Sequence, residues 1–254
     1  MNDSIEHPLS TACGPSWASA WGEDRFGLWA ELTIDKVVTR LRWIRPGRFL
    51  FGVSKTEEAF SWEIIGQRRE RVELGFWMFE APCTQGLWEI IMGKNPSRFK
   101  GKSRPVESIS WNDCRTFLEK VNGRNNGLNL TLPSEVQWEY ACRAGTRGPR
   151  YHADITEIAW FSENSDQQTH PVKGKKANAW GLYDMLGNVL EWCEDKWDVK
   201  DDDVSAPRVI RGGGWANESR DLRAAYRCAN HPDNAYGNLG FRCSSSGVSP
   251  DGDG

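Results

Sequence analysis

The chain has 254 residues and a formal net charge of −3, enough length for one large domain or two small ones. That balance excludes an electrostatic footprint for nucleic acid or an anionic membrane, because phosphate binding draws on clustered Lys and Arg in excess. No apolar run reaches the roughly 18 residues that span a bilayer, and the opening MNDSIEHPLSTACGPS has neither a basic nor an apolar leader segment, so a cytoplasmic protein with no membrane partner is expected.

Residues 1–40 read as an N-terminal extension, turn-rich up to Asp24. Apolar positions then alternate at Leu28, Ala30 and Leu32, the pattern of a strand expected to pair as a hairpin with VVTRLRWI, packed on the core. The main domain is expected over residues 41–246. LRWIRPGRFLFG reads as a strand, a Pro-Gly turn and a second strand, and RVELGFWMFEAPCT as one extended run ended by Pro82.

Two helices carry legible caps. Ser110 with Asp113 opens the first, whose apolar face is Trp111, Cys114, Phe117, Leu118 and Val121. Ser134 with Gln137 opens the second, and Gly145 supplies a left-handed stop. Beyond it the helical period is lost, which predicts loops pinned to short strands, and residues 247–254 read as a disordered tail.

Side-chain usage agrees with a loop-rich fold. Fourteen Trp residues, many beside Gly, Asn or Pro, suit a small core filled by a few large rings. The seven cysteines, Cys13, Cys83, Cys114, Cys142, Cys193, Cys228 and Cys243, match neither zinc-knuckle nor CxxC spacing, so buried thiols are expected, with room for one bridge.

Five segments in order resemble the formylglycine-generating enzyme (sulfatase-modifying factor) domain family. They are RPGRFLFG (45–52), RPVESISWNDC (104–114), LTLPSEVQWEYACRAG (130–145), NAWGLYDMLGNVLEWCED (178–195), and RVIRGGGW with LGFRC (208–215 and 239–243). The resemblance implies an α+β, C-type-lectin-like fold with two short helices, short strands and much irregular loop. It also implies a copper-dependent oxidase if the family's two active-site cysteines are present. The corresponding stretch, WANESRDLRAAYR, contains no cysteine, and the four His residues are too scattered for the family's iron-binding branch. No catalytic residue and no required cofactor is therefore expected. DMLGNVLE resembles the family's structural calcium loop, whose ligands would fall on Asp184, Gly187, Val189 and Glu191; capping or arginine pairing by Asp184 and Glu191 is the alternative.

The family also includes the variable proteins of diversity-generating retroelements, which change exposed positions near the C-terminus through adenines of Asn codons. Residues 215–242 resemble such a segment, with a frame of Trp, Arg, Leu and an NHPDN run. The positions left open, apart from Glu218, which an Asn codon cannot yield by changes at its adenines, are Ala216, Asn217, Ser219, Asp221, Tyr226, Cys228, Ala229, Ala235, Tyr236, Gly237 and Asn238. The residues at all eleven of these positions are reachable from an Asn codon, although loop composition alone favours several of them. Gly212 and Gly213, the anchors Trp215, Leu222, Leu239 and Phe241, and Arg211, Arg223, Arg227 and Arg242 read as scaffold. Tyr226 and Tyr236 are the expected contact hot spots.

The leading expectation is thus a non-catalytic binding protein whose ligand is a protein or other macromolecule. A metal-dependent oxidase of the formylglycine-generating type is the alternative. A module that docks a partner through residues 1–40 is a third reading.

Overall fold

The computed structural model describes residues 14–55, 57, 60, 66–125, 127–198 and 203–246. Cys13, the start of the expected extension and the 247–254 tail lie outside the described residues. Three strands open the chain: β1 (Ala20–Asp24), β2 (Gly27–Ile34) and β3 (Val37–Ile44), each antiparallel to the next. Leu28, Ala30, Leu32 and Ile34 of β2 are buried, while Trp29, Glu31 and Thr33 take the opposite face. The β2–β3 turn places Asp35 and Lys36 at φ 45° and 71°, the double left-handed turn that suits twisted strands.

This part of the chain corrects two expectations. Residues 20–24 form a strand instead of turns, and the boundary at residue 40 falls inside β3. The hairpin supplies core side chains to the main sheet.

Pro46 follows β3 and redirects the chain into β4 (Gly47–Phe51), which pairs with β5 (Arg68–Val72) in a separate two-stranded sheet. The run read as one extended segment breaks at Gly75, where the Trp43 ring fills the space of a Cβ at 2.2 Å. Beyond the break β6 (Phe76–Phe79), buried at all four positions, returns to pair with β3.

Three α-helices occur among the described residues, one more than the caps predict. The additional helix, α1 (Gln85–Met92), is capped by Thr84 and stopped by Gly93 at φ 76°. Ahead of α2 (Trp111–Asn122), Ser110 and Asp113 form the expected reciprocal cap. After β7 (Leu130–Thr131) comes α3 (Glu135–Arg143), opened by Ser134 and Gln137; its left-handed stop begins at Ala144, one residue before Gly145.

The C-terminal third makes strands from short apolar runs: β8 (Leu190–Lys196), β9 (Arg208–Arg211), β10 (Arg227–Asn230) and β11 (Leu239–Gly240), ordered β10-β9-β8-β11. β12 (Ser244–Ser246) leaves this sheet and inserts between β6 and β7, completing a six-stranded sheet of order β1-β2-β3-β6-β12-β7.

Trp88 stacks on Phe117 at 5.3 Å, and Phe241 meets both rings edge-on, so the chain's last aromatic closes the core of α1 and α2. The six described cysteines are all free, five of them buried, so Cys228 and Cys243 are not bridged. Among the described residues no helix is long and apolar enough to cross a membrane.

Candidate functional site

The segment after β9 is organised by buried arginines. Arg211, fully buried, donates to the carbonyls of Ala225 (2.9 Å), Tyr226 (2.7 Å) and Ala224 (3.0 Å) and to the Glu139 carboxylate. Burial opposes its charge, but Glu139 and Glu135 outweigh burial and hold the guanidinium above its ordinary pKa. Arg227 grips Glu135 through two bonds of 2.6 and 2.8 Å. Glu135 and Glu139 are one turn apart on α3, so a single helix face anchors both arginines. Glu139 also accepts from Arg143 (2.8 Å) and from the Gly52 amide (2.9 Å), which ties the β4 end to the same cluster.

The loop from Gly212 to Leu222 turns through two left-handed glycines, Gly212 at φ 94° and Gly213 at φ 69°. A Cβ on Gly212 would meet the Met185 carbonyl and the Trp138 ring, each at 3.0 Å. Trp215 donates its amide to Asn188 (2.9 Å) and its indole N–H to the Gly237 carbonyl (2.8 Å), joining this loop to the 235–238 loop. The NHPDN run is tied to the start of α2, where Asn112 donates to Asp233 (2.6 Å) and to the Pro232 carbonyl (3.3 Å).

The eleven open positions do not share one environment. Ala216, Ala235 and Tyr236 are exposed, Tyr236 by 48%, and Ser219, Gly237 and Asn238 are half-buried beside them in the chain. Asn217 and Asp221 are wired into the loop: Asn217 accepts from the Gly214 amide (2.9 Å) and donates to Asp221 (2.9 Å). Cys228 and Ala229 are half-buried in β10, and burial pushes the Cys228 thiol up to about 12. Tyr226 departs from expectation. Only 8% exposed, it packs against Phe60 with ring centroids 6.0 Å apart and belongs to the core, so of the two expected hot spots only Tyr236 is displayed.

Outside β10, seven of these positions are held through their main-chain carbonyls, Asp221 among them by the Arg223 amide (3.0 Å). Asn217 is held by the Ser162 amide (3.0 Å), Ser219 by Arg150 (2.6 Å) and Tyr226 by Arg211 (2.7 Å). Tyr236 is held by the Ser108 and Leu239 amides (3.0 Å each), Gly237 by the Trp215 indole and Asn238 by the Leu190 amide (2.8 Å). A carbonyl offers the same acceptor whatever side chain it carries.

The donor set proposed for calcium does not fit that ion. Glu191 takes a bidentate bond from Arg242 (2.8 and 2.7 Å) and a third from the Trp138 indole (2.8 Å). Asp184 accepts from the Lys173 amide (2.8 Å) and from Asn188 (3.3 Å). Burial raises the pKa of Asp184, and a cation here would face the fixed charge of Arg242. These carboxylates hold the fold, with Arg242 also gripping the Tyr183 and Asp184 carbonyls at 2.9 and 3.1 Å. Among the described residues no group of three His, Cys, Asp or Glu side chains is placed to hold a metal.

Sequence reasoning passed over the neighbours of the displayed residues. Phe99 meets the Trp215 ring edge-on at 5.4 Å, and Arg98 lies over Phe99 at 5.0 Å. The signal was present as KNPSRFKGKSR, a run of cations without an acid.

Comparison with known proteins agrees with this architecture. Residues 31–246 match the Sulfatase-modifying factor enzyme 1-like domain. The chain is 29% identical over 217 residues to the inactive Cα-formylglycine-generating enzyme 2 of Bos taurus, covering 78% of this chain and 68% of that one. It is 32% identical over 173 residues to the formylglycine-generating enzyme of Streptomyces coelicolor, covering 56% and 53%. The solved structure of Treponema denticola variable protein 1 superposes with a TM-score of 0.74 at 26% identity, covering 86% of this chain and 99% of that one. With its α+β, C-type-lectin-like fold, the chain belongs to the Sulfatase-modifying factor enzyme 1-like domain family.

Proposed function

We propose that this chain is a non-catalytic ligand-binding protein, the variable protein of a diversity-generating retroelement, which presents exchangeable side chains to a macromolecular ligand. The observation that carries the reading is the main-chain grip on residues 217, 219, 221, 226, 236, 237 and 238. A binding surface built to change must keep its backbone while its side chains vary, and here the scaffold holds carbonyls. The resemblance to the Treponema denticola variable protein supports the same reading. The thiol-free stretch from Trp215 to Arg227 supports a non-catalytic role, since copper of the family type needs soft sulfur ligands there.

The test is a library with Ala216, Ser219, Ala235 and Tyr236 randomised together. Most members are expected to melt within a few degrees of the parent, and selection against a panel of unrelated proteins is expected to yield binders. Widespread unfolding of the library would refute the reading. So would a purified protein that carries stoichiometric copper and consumes oxygen with a thiol peptide, the behaviour of an oxidase. In the genome, a near-copy of the segment encoding residues 210–243 that differs at adenines is the expected template.

A further inference from the structure

Residues 94–104 hold Lys94, Arg98, Lys100, Lys102 and Arg104 with no Asp or Glu, so this stretch carries +5 and the rest of the chain −8 of the net −3. A cation run is ordinarily a solvated face, and its partners decide whether it is more. Among the described residues none of the five forms an ion pair with a carboxylate; Lys100 donates to the Asn95 carbonyl and Arg104 to Gln168. Lys94, Arg98, Lys100 and Lys102 are exposed.

The loop beneath these cations is rigidly built. Gln85, fully buried at the start of α1, donates to the carbonyls of Phe99 (2.7 Å) and Pro105 (3.1 Å) and accepts from Asn95 (2.9 Å) and the Gly101 amide (3.0 Å). Glu107, the one acid at its base, is also fully buried, and its carboxylate is spent on the Phe99 amide (2.9 Å) and the Ser108 hydroxyl (2.6 Å). A fixed backbone that presents unpaired cations has already met much of the ordering cost of binding.

The loop also lies beside the 235–238 segment. A Cβ on Gly237 would lie 3.7 Å from the Arg98 side chain, and the neighbouring Ser108 amide holds Tyr236. Arg98, Phe99, Trp215 and Tyr236 thus bring the residue types that dominate binding hot spots next to a cationic loop.

Resting on the display reading above, we propose that the ligand of this surface docks an acidic polypeptide segment, its carboxylates on the 94–104 loop and its side chains against Tyr236 and its neighbours. The remaining chain, at −8, repels an extended polyanion, and the cations occupy one short loop instead of the long basic track that a nucleic acid follows.

The probe is a fluorescent Glu-rich peptide carrying one Tyr, titrated by anisotropy against the full chain. A Lys-for-Glu peptide and an oligothymidylate of equal charge serve as controls. Selective binding of the acidic peptide is expected. It should weaken as salt rises and fall at least tenfold in Arg98→Glu/Lys102→Glu, whose melting temperature should stay near the parent's because both positions are exposed.

Three results would overturn the proposal: no binding of the acidic peptide, equal affinity in the charge-reversed variant, or oligothymidylate binding as tightly as the peptide. Tyr236→Ala separates the two readings. Loss of affinity in both variants supports the composite surface. Loss on charge reversal alone keeps the acidic-peptide site and removes Tyr236 from the binding surface.

Discussion

Replacing Arg211 by Met leaves Glu139 Oε2 and the carbonyls of Ala224, Ala225 and Tyr226 buried without that donor, while Arg143 and the Gly52 amide stay on Glu139 Oε1. Breaking a buried pair in this way costs about 3–5 kcal/mol, so Arg211→Met is expected to lower the urea midpoint sharply or to prevent folding. The two tyrosines separate cleanly by the same measurement. Tyr236→Ala removes an exposed ring and is expected to change stability by no more than about 0.5 kcal/mol. Tyr226→Ala empties a core position and is expected to cost about 3 kcal/mol. Codon reachability treated both as alike because it reports which residues an Asn codon can yield and carries no information on burial. The frame arginines were legible as scaffold, since Arg beside Gly and aromatic residues suits multidentate binding of carbonyls. Their partners were not, because Glu135 and Arg227 lie 92 residues apart in the chain.

At the scale of elements, α3 links the frame to the rest of the fold. Asp195 of β8 accepts a 2.6 Å bond from the Glu135 amide, in the first turn of the helix. Burial raises the Asp195 pKa and the adjacent Glu135 charge adds to the rise, against the bond from the amide. The folded protein therefore keeps this proton to a higher pH than the unfolded chain does. The stabilisation is complete below the unfolded value, about pH 4, and is lost as pH rises through the folded value. Asp195→Asn, which retains an acceptor for the amide, is expected to abolish that slope in thermal melts recorded across the interval; an unchanged slope would assign it to another group. Helices α2 and α3 were legible because a capping box is a local signal within four residues. α1 was not: Gln85, Gly86, Leu87, Trp88 and Ile91 are all buried, so no polar stripe alternates with an apolar one, and a Gly near the start argues locally against helix.

Over the whole molecule, the six-stranded sheet joins residues from both ends of the described chain. Deleting residues 14–34 would remove β1 and β2 and strip Leu28, Ala30, Leu32 and Ile34 from the core. Such a truncation is expected to yield insoluble or protease-sensitive protein; a truncated form that still melts cooperatively would restore the view of this region as a detachable module. The fold class was readable from ordered family segments, whereas the sheet order was not. A strand order that places β12 between β6 and β7 depends on contacts separated by more than a hundred residues, which no local pattern encodes.

The insertion of β12 has a further consequence for how a changed loop is accepted. β12 follows residues 216–238 in the chain, yet it completes a sheet that β3 and β6 begin. During synthesis the sheet stays open until every one of those positions has been made, and a loop that cannot deliver β11 and β12 to their places leaves the edges of β6 and β7 uncovered. On the proposed display reading, completion of the fold would therefore act as an inspection step: a substituted loop would be presented only by a molecule whose β12 has found its slot.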